Sequence, residues 1–276
     1  MKQDRVVPVV RRPAVAGYFY PADPALLRGQ LDAFMRADVA AAPVPAVIVP
    51  HGSYTHSGAL AGAALSRVTI PRRCILVGPS HTGSWMPWSL LMEGAYRTPL
   101  GDVPIDTGCA EALRARCPFL EPDAWAQRGE HAIEVVLPFL QWRGPAELAV
   151  VPIVTGSDDP DEFARLGAAL AQVVRLQEEP VLLIASSDLS HYESRARAFE
   201  QDRALLGQVQ ALDGAGLIRH VQEHPVSMCG YGPVAAVLEA AKTLGAHRAA
   251  LVGYRTSAEA GGDPDSVIGY ASVIIE

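Results

Sequence analysis

Apolar residues along this chain gather into short unbroken runs, separated by longer stretches with helical spacing. Ala46 to Val49, Arg73 to Val77, Leu148 to Val154 and Val181 to Ala185 read as strands that are apolar on both faces. Continuous rather than alternating strands belong to a sheet covered on both sides. Between them, Pro24 to Arg36 predicts a helix with Asp23 as its N-cap and a proline in its first turn. Further helices are predicted over Ser57 to Ser66, Thr107 to Arg116, Asp161 to Leu176, Arg195 to Val209 and Pro233 to Leu244. The last of these has proline at its start and Gly245 at its end. The segment from Ser57 to Ser66 is rich in small residues (Gly58, Ala59, Ala61, Gly62, Ala63, Ala64), which allows it to pack close to a sheet. Ala249 to Tyr254 and Val267 to Ile275 form a hairpin-like end around a Gly/Asp/Pro-rich loop. The pattern predicts one α/β domain over residues 1–276. Its architecture is expected to be a three-layer α/β/α sandwich around a mixed, mostly parallel sheet.

Several of the apolar runs end in histidine. Ala46-Val47-Ile48-Val49-Pro50 delivers His51, Cys74-Ile75-Leu76-Val77-Gly78-Pro79-Ser80 delivers His81, and Val181 to Ala185 runs through Ser186-Ser187-Asp188 to His191. In an open α/β sheet the loops beyond the carboxyl ends of the strands form the ligand crevice, so these imidazoles are expected to converge there. Imidazole is the commonest metal ligand, and His51 with His81, each after one of two adjacent strands, is read as part of a metal site. Gly78 and Pro79 are expected to turn the backbone tightly and aim His81 at the crevice.

Cys229 precedes Gly230-Tyr231-Gly232-Pro233 just before a helix, where peptide dipoles favour a thiolate that binds metal or attacks an electrophile. Cys74, Cys109 and Cys117 read as structural, since free cysteine is usually a small buried hydrophobe. Asp188 and His191 could supply a supporting carboxylate and an acid/base imidazole, or two further ligands. Glu130, His131 and Glu134 begin an amphipathic turn expected at the rim of the site, with ligation, substrate contact and capping all open. Tyr54 and Trp85 are candidate pocket walls, as is the whole segment Trp85-Met86-Pro87-Trp88. His56 reads as a surface or supporting residue.

The 276 residues carry a net charge of −7 and no Lys/Arg run, which argues against nucleic-acid binding and excludes neither a small-molecule substrate nor a protein partner. No apolar stretch approaches a membrane span, and Met1 to Pro13 is too Pro-broken for a signal segment. Four cysteines without a CxxC pair fit a reducing compartment, so a cytoplasmic location is expected. There is no GxGxxG after the first strand, no GxxxxGK[ST] loop and no GxSxG elbow.

With these segments assembled, the chain resembles the Memo family, whose bacterial and archaeal members are called AmmeMemoRadiSam system protein B. The resemblance lies in Ala16-Gly17-Tyr18-Phe19-Tyr20-Pro21, in Pro50-His51 with Tyr54 and Ser57-Gly58, and in Gly78-Pro79-Ser80-His81. It continues through Tyr96-Arg97-Thr98-Pro99-Leu100-Gly101, Glu130-His131 with Glu134 and Leu137-Pro138, and Ser186 to Tyr192. Cys229-Gly230 and Ser266 with Gly269-Tyr270-Ala271 complete it. Gly52-Ser53 departs from the Ala-Gly usual in the family.

That family is similar in fold to the protocatechuate-type (LigB-like) extradiol dioxygenases, non-haem iron enzymes with two histidines and one carboxylate. The resemblance implies that His51 and His81 match the iron-binding histidines and that Cys229 stands where the carboxylate ligand would be. It also implies that His191 matches an acid/base histidine, with Asp188 in the same pocket motif. The implied cofactor is Fe(II), and the softer thiolate also suits copper or zinc. The implied activity is dioxygenase-like redox chemistry on a small oxygenated substrate. Two alternatives also follow from the family: a phosphotyrosine-binding adaptor, or a partner of AMMECR-type and radical-SAM proteins. An acidic chain without an Arg cluster makes phosphate capture the weaker expectation.

Overall fold

The computed structural model describes residues 10–36, 38–83 and 87–276. In chain order its elements begin with β1 (Val10–Arg11), α1 (Pro24–Phe34), β2 (Ala46–Val49), a wide π turn (Tyr54–Gly58), α2 (Ala59–Leu65) and β3 (Arg73–Pro79). Then come β4 (Trp88–Leu90), β5 (Ala95–Thr98), β6 (Gly101–Pro104), α3 (Thr107–Arg116), α4 (Ala124–Arg128), α5 (Leu137–Arg143) and β7 (Ala149–Thr155). The chain continues through α6 (Pro160–Arg175), β8 (Val181–Ser186), β9 (His191–Glu193), α7 (Arg195–Gln210) and α8 (Gly214–Glu223). It closes with α9 (Tyr231–Thr243), β10 (Ala249–Thr256), a 3-10 turn (Ser257–Ala260) and β11 (Val267–Ile275).

The main sheet runs β10-β11-β2-β8-β3-β7-β4, with β9 paired to β11. Its centre, β2-β8-β3-β7, is parallel. Both flanks are antiparallel, through β10-β11-β2 on one side and β4-β7 on the other. The terminal hairpin is therefore antiparallel, as its turn-rich loop predicts.

Side chains alternate along each central strand and are buried on both faces. Ala46, Ile48, Ile75, Val77, Leu183 and Ala185 point into one core with α3, α6, α7, α8 and α9. Val47, Val49, Cys74, Leu76, Leu182 and Ile184 point into the other with α1, α2 and α5. This is the three-layer α/β/α arrangement that continuous apolar strands require. The α1 N-cap is also as expected, with Asp23 accepting from the amides of Ala25 and Leu26.

Three features differ from the sequence reading. The glycines of α2 serve a helix contact instead of a sheet contact: a Cβ at Gly62 would lie 2.6 Å from the Phe34 carbonyl of α1. The small sheet β1-β5-β6 was not expected, because its strands are two to four residues long and pair across distant segments. Helix α8 is likewise absent from the sequence reading. Gly214 and Gly216 in its first turn lower its intrinsic propensity, but a side chain at 214 would strike the Ala235 carbonyl of α9 at 2.8 Å. Tertiary packing therefore dictates the glycine there. No helix among the described residues is long and apolar enough to cross a membrane.

Candidate metal centre

The site forms where β2, β8 and β3 end together. Pairings Ile48↔Ala185 and Val77↔Ala185 place the three carboxyl ends level, with β8 in the middle. The strands before His51 and His81 are thus not adjacent, contrary to expectation, and β8 inserts Ser186 and Asp188 between them. Strand β3 also runs straight through Gly78 and Pro79. The expected tight turn is absent; Gly78 instead leaves room for Ala132, whose Cβ would lie 3.1 Å from an added Cβ.

The fourth segment arrives at the start of α9. Gly230 presses against the end of β8 so tightly that a Cβ there would lie 2.6 Å from both the Ser186 carbonyl oxygen and the Ser187 Cβ. Its amide donates to Ser187 Oγ at 3.1 Å. This contact sets Cys229 beside His51, with Sγ 3.3 Å from Nε2. A nitrogen of His51, a nitrogen of His81 and the sulfur of Cys229 all lie within 4.8 Å of one another. His51 is buried, Cys229 half-buried and His81 exposed, so the cluster has an open side.

Hydrogen bonds behind the rings decide which nitrogens face inward. Ser186 Oγ donates its one proton to the Ala132 carbonyl at 2.6 Å, so it accepts from His51 Nδ1 at 2.8 Å. Nδ1 of His51 is therefore protonated, and Nε2 carries the lone pair beside Cys229. His81 follows the same logic, with Nδ1 donating to Glu130 Oε1 at 2.9 Å. Glu130 also accepts from the amides of His131 and Ala132, each at 2.8 Å, and from the His81 amide. Partners of this kind orient ligating imidazoles and raise their basicity.

The sequence profile of the Memo-like protein family matches residues 11–274. The chain belongs to the Memo family. It is 37% identical to a MEMO1 family protein of Methanopyrus kandleri over 96% of this chain and 98% of that one. It is 36% identical to a MEMO1 family protein of Methanosarcina barkeri, covering 97% and 100% of the two chains. A relative from Sulfolobus acidocaldarius is 36% identical over 96% of this chain and 99% of its own. Among solved structures, an uncharacterised protein of Escherichia coli K12 superposes with a TM-score of 0.56 at 18% identity, covering 84% of this chain and 100% of that one. At that identity the likeness is one of fold.

The remaining residues of this Memo-family site fall unequally around the cluster. His131, expected at the rim, is the third imidazole in ring contact, stacked on His81 at 4.5 Å between centroids and edge-on to His51 at 5.5 Å. Glu130 is not at the rim either, because its side chain is fully buried behind His81 and His131. Their neighbour Glu134 turns away from the cluster. It takes Arg11, the Tyr20 hydroxyl at 2.7 Å and the amides of Ala14 and Val15 at 2.8 and 3.0 Å, which makes it an anchor for the N-terminal segment.

Asp188 lies beneath the cluster, accepting from the amides of His51 at 2.8 Å and Gly52 at 3.3 Å, with its other oxygen 3.9 Å from His51 Nε2. Its own amide points at Cys229 Sγ, 3.4 Å away. His191 is half-buried and stands apart from the ring contacts. Its Nδ1 donates to the Ser227 carbonyl at 2.8 Å, which leaves Nε2 free.

Tyr54 is not a pocket wall. It is 2% exposed, gives its hydroxyl to the Val135 carbonyl at 3.0 Å and packs on Phe139 in the core. Trp85 and Met86 lie outside the described residues. Trp88 is buried with its indole N–H on Glu162, so it belongs to the core and not to a pocket wall. His56 contacts Ser53 Oγ at 2.9 Å, and the other three cysteines are buried.

Electrostatics separate the roles further. Burial, reinforced by the charges of His81 and His131, holds His51 well below the usual histidine range, in the neutral form a metal ligand needs. For His81, burial opposes the charge, but the hydrogen bond and charge of Glu130 outweigh it and raise the pKa. Burial would likewise raise Glu130, yet its bonds to His81 and the amide of Ala132 bring it down to about 2. Cys229 corrects the sequence reading. Burial and the charge of Asp188 push its thiol up, against bonds from the Asp188 amide and Ser187. The helix start does not offset that burial.

Proposed function

We propose that this Memo-family chain holds a first-row transition-metal ion through His51, His81 and Cys229, with Fe(II) as the native ion. We further propose that it carries out dioxygenase-like redox chemistry on a small oxygen-bearing substrate. The observation that carries this reading is the meeting of two histidines and one cysteine. Each histidine has its Nδ1–H committed, to Ser186 and to Glu130, His51 turns Nε2 to the sulfur of Cys229 at 3.3 Å, and one nitrogen of each ring and that sulfur all lie within 4.8 Å of one another. The donor set fits an ion on chemical grounds as well. A buried thiol beside the neutral imidazole of His51 and the carboxyl of Asp188 is a donor set that a cation satisfies. Two imidazoles and a thiolate accept Fe(II) and also suit copper or zinc.

Such an ion, when bound, supplies Lewis-acid polarisation of a substrate oxygen and redox capacity. Everything else falls to the chain. Glu130 and Ser186 keep the ligand rings oriented. Asp188 stands below His51 and holds the backbone there by accepting from the amides of His51 and Gly52. His191, steadied by Ser227, offers Nε2 as the base that takes a proton from an approaching hydroxyl. The half-exposed position of His191 suits a group that meets substrate at the mouth.

Phosphate capture is a poorer fit. Arg11, whose guanidinium reaches the Glu130 carbonyl behind the cluster, is buried and bound to Glu134 and to the carbonyls of Gln127 and Arg12. Four of its five N–H donors are committed inside the protein, and its burial keeps it from a phosphopeptide. Partnership with AMMECR-type and radical-SAM proteins is compatible with the same site, and co-purification with such proteins is its test.

The deciding experiment is metal analysis of protein isolated without oxygen. About one iron per chain in the wild type, lost in His81→Ala, supports the reading. Absence of stoichiometric metal, with unchanged content in the variant, refutes it.

A further inference from the structure

His81 belongs to two groups of possible metal ligands. Besides the group with His51 and Cys229, it forms another with Glu130 and His131, in which one ligand atom of each residue lies within 4.8 Å of the other two. Oε1 of Glu130 stands at the centre of this second group, 2.9 Å from His81 Nδ1 and 3.5 Å from His131 Nδ1.

Local structure holds these side chains in place without help from a ligand. Glu130 caps the turn it begins, its Oε1 accepting from the amides of His131 and Ala132 at 2.8 Å each. The ring of His131 is steadied by Phe19, edge-on at 4.9 Å, and by His81, stacked at 4.5 Å. The Glu130 carboxylate is fully buried, and its ion-pair partners among the described residues are these two imidazoles, with no Lys or Arg. Both rings are part-exposed, so the group opens to solvent on its imidazole side.

The geometry points to a second metal position, held by Nδ1 of His81, Nδ1 of His131 and Oε1 of Glu130, and joined through the His81 ring to the ion proposed at His51 and Cys229. Two imidazoles and a carboxylate suit a divalent first-row ion such as zinc(II) or cobalt(II). That ion takes the place of the proton that His81 Nδ1 gives to Glu130, and the proton leaves to the buffer. The His81 ring then bridges two ions, with Nδ1 on the second and Nε2 left for the first. Each ion has its own anion, the sulfur of Cys229 at one and Glu130 at the other. Having to displace a proton makes the second position the weaker, filled when metal is added and not in the protein as isolated. The inference goes beyond the single-ion reading above and shares only His81 with it.

The test is a titration of full-length, metal-stripped protein with Co(II), reading bound cobalt by equilibrium dialysis and the near-ultraviolet thiolate-to-cobalt band in parallel. Only the group with Cys229 gives that band, so the wild type should reach about two cobalt ions per chain while the band saturates at about one. His131→Phe keeps an aromatic ring on His81 but removes both nitrogens, and it should stop at about one ion with the full band. His131→Leu, which relieves any crowding by the phenyl ring, should do the same. Wild type that saturates at one ion with the band overturns the inference and leaves the single-ion reading standing. So does a second ion that survives in His131→Phe, because it then lies elsewhere on the chain. One ion without the band, lost in His131→Phe, supports the second position and refutes the reading at Cys229. A wild type that takes up no cobalt refutes both.

Discussion

The sulfur of Cys229 lies 3.3 Å from Nε2 of His51, although 178 positions separate the two in the chain. Neither residue reaches the other through its own local structure. His51 is placed by the end of a parallel strand, and Cys229 by a glycine contact that presses a helix start onto the neighbouring strand. The pair meets only when β8 is inserted between β2 and β3, so the centre depends on the sheet order.

Replacing the ligands should separate binding from reactivity. Cys229→Ser and His51→Ala are expected to lose the bound ion, whereas His191→Ala, whose imidazole is anchored on Ser227 outside the cluster, should keep it. Metal per chain, measured by elemental analysis after anaerobic isolation, checks this. Loss of metal from His191→Ala would move that residue into the ligand set.

The Ser186 hydroxyl holds the tautomer of His51 by giving its proton to Ala132 and receiving that of Nδ1. Ser186→Ala is expected to weaken metal affinity by about 10–100-fold, as loss of such supporting partners does. Competition against a chelator of known strength measures the change. An unchanged affinity would mean that His51 is oriented by packing alone.

Glu130 makes stability pH-dependent in the metal-stripped protein. Its pKa falls from an ordinary 4.5 to about 2 in the fold, so its ionised form contributes stability that is fully present above 4.5 and lost as pH falls towards 2. Glu130→Gln lacks that contribution. Denaturant unfolding of the two proteins should therefore differ most above 4.5 and converge as pH falls from there towards 2. A constant gap across that window would show that Glu130 acts only through shape.

Gly230 has no room for a side chain, because the Ser186 carbonyl it would strike is backbone in the middle of the sheet. Gly230→Ala is expected to cost about 1–3 kcal/mol of stability through overpacking and to weaken metal binding by shifting Cys229. Thermal melting with and without metal reads both effects.

Arg11 and Glu134 form a buried ion pair, with 2% and 0% of their side chains exposed. Arg11→Met leaves the carboxylate uncompensated and should destabilise the protein by about 3–5 kcal/mol. The double variant Arg11→Met/Glu134→Gln is expected to recover part of that loss. Equilibrium unfolding of both variants settles the comparison.

The histidines at the ends of β2 and β3 were legible because a strand's carboxyl end is visible as the end of an apolar run. So were the N-cap at Asp23 and the terminal hairpin, which rest on local chemistry. His131 was legible only as a histidine beside Glu130. Its position against His81 comes from the path between α4 and α5, where buried hydrogen bonds outweigh periodicity. Tyr54 was misread for a related reason: an aromatic residue after a site histidine can face crevice or core, and only packing against Phe139 decides.

The sequence by itself determined the layers, because apolar runs of strand length and helices of amphipathic spacing must bury their surfaces in only a few ways. It also determined which residue types could ligate. Tertiary structure alone decided which of them meet, which nitrogen each imidazole turns inward, and that His131 rather than His191 completes the ring cluster. Those outcomes depend on strand order and on hydrogen bonds between residues far apart in the chain, and no local pattern carries that information.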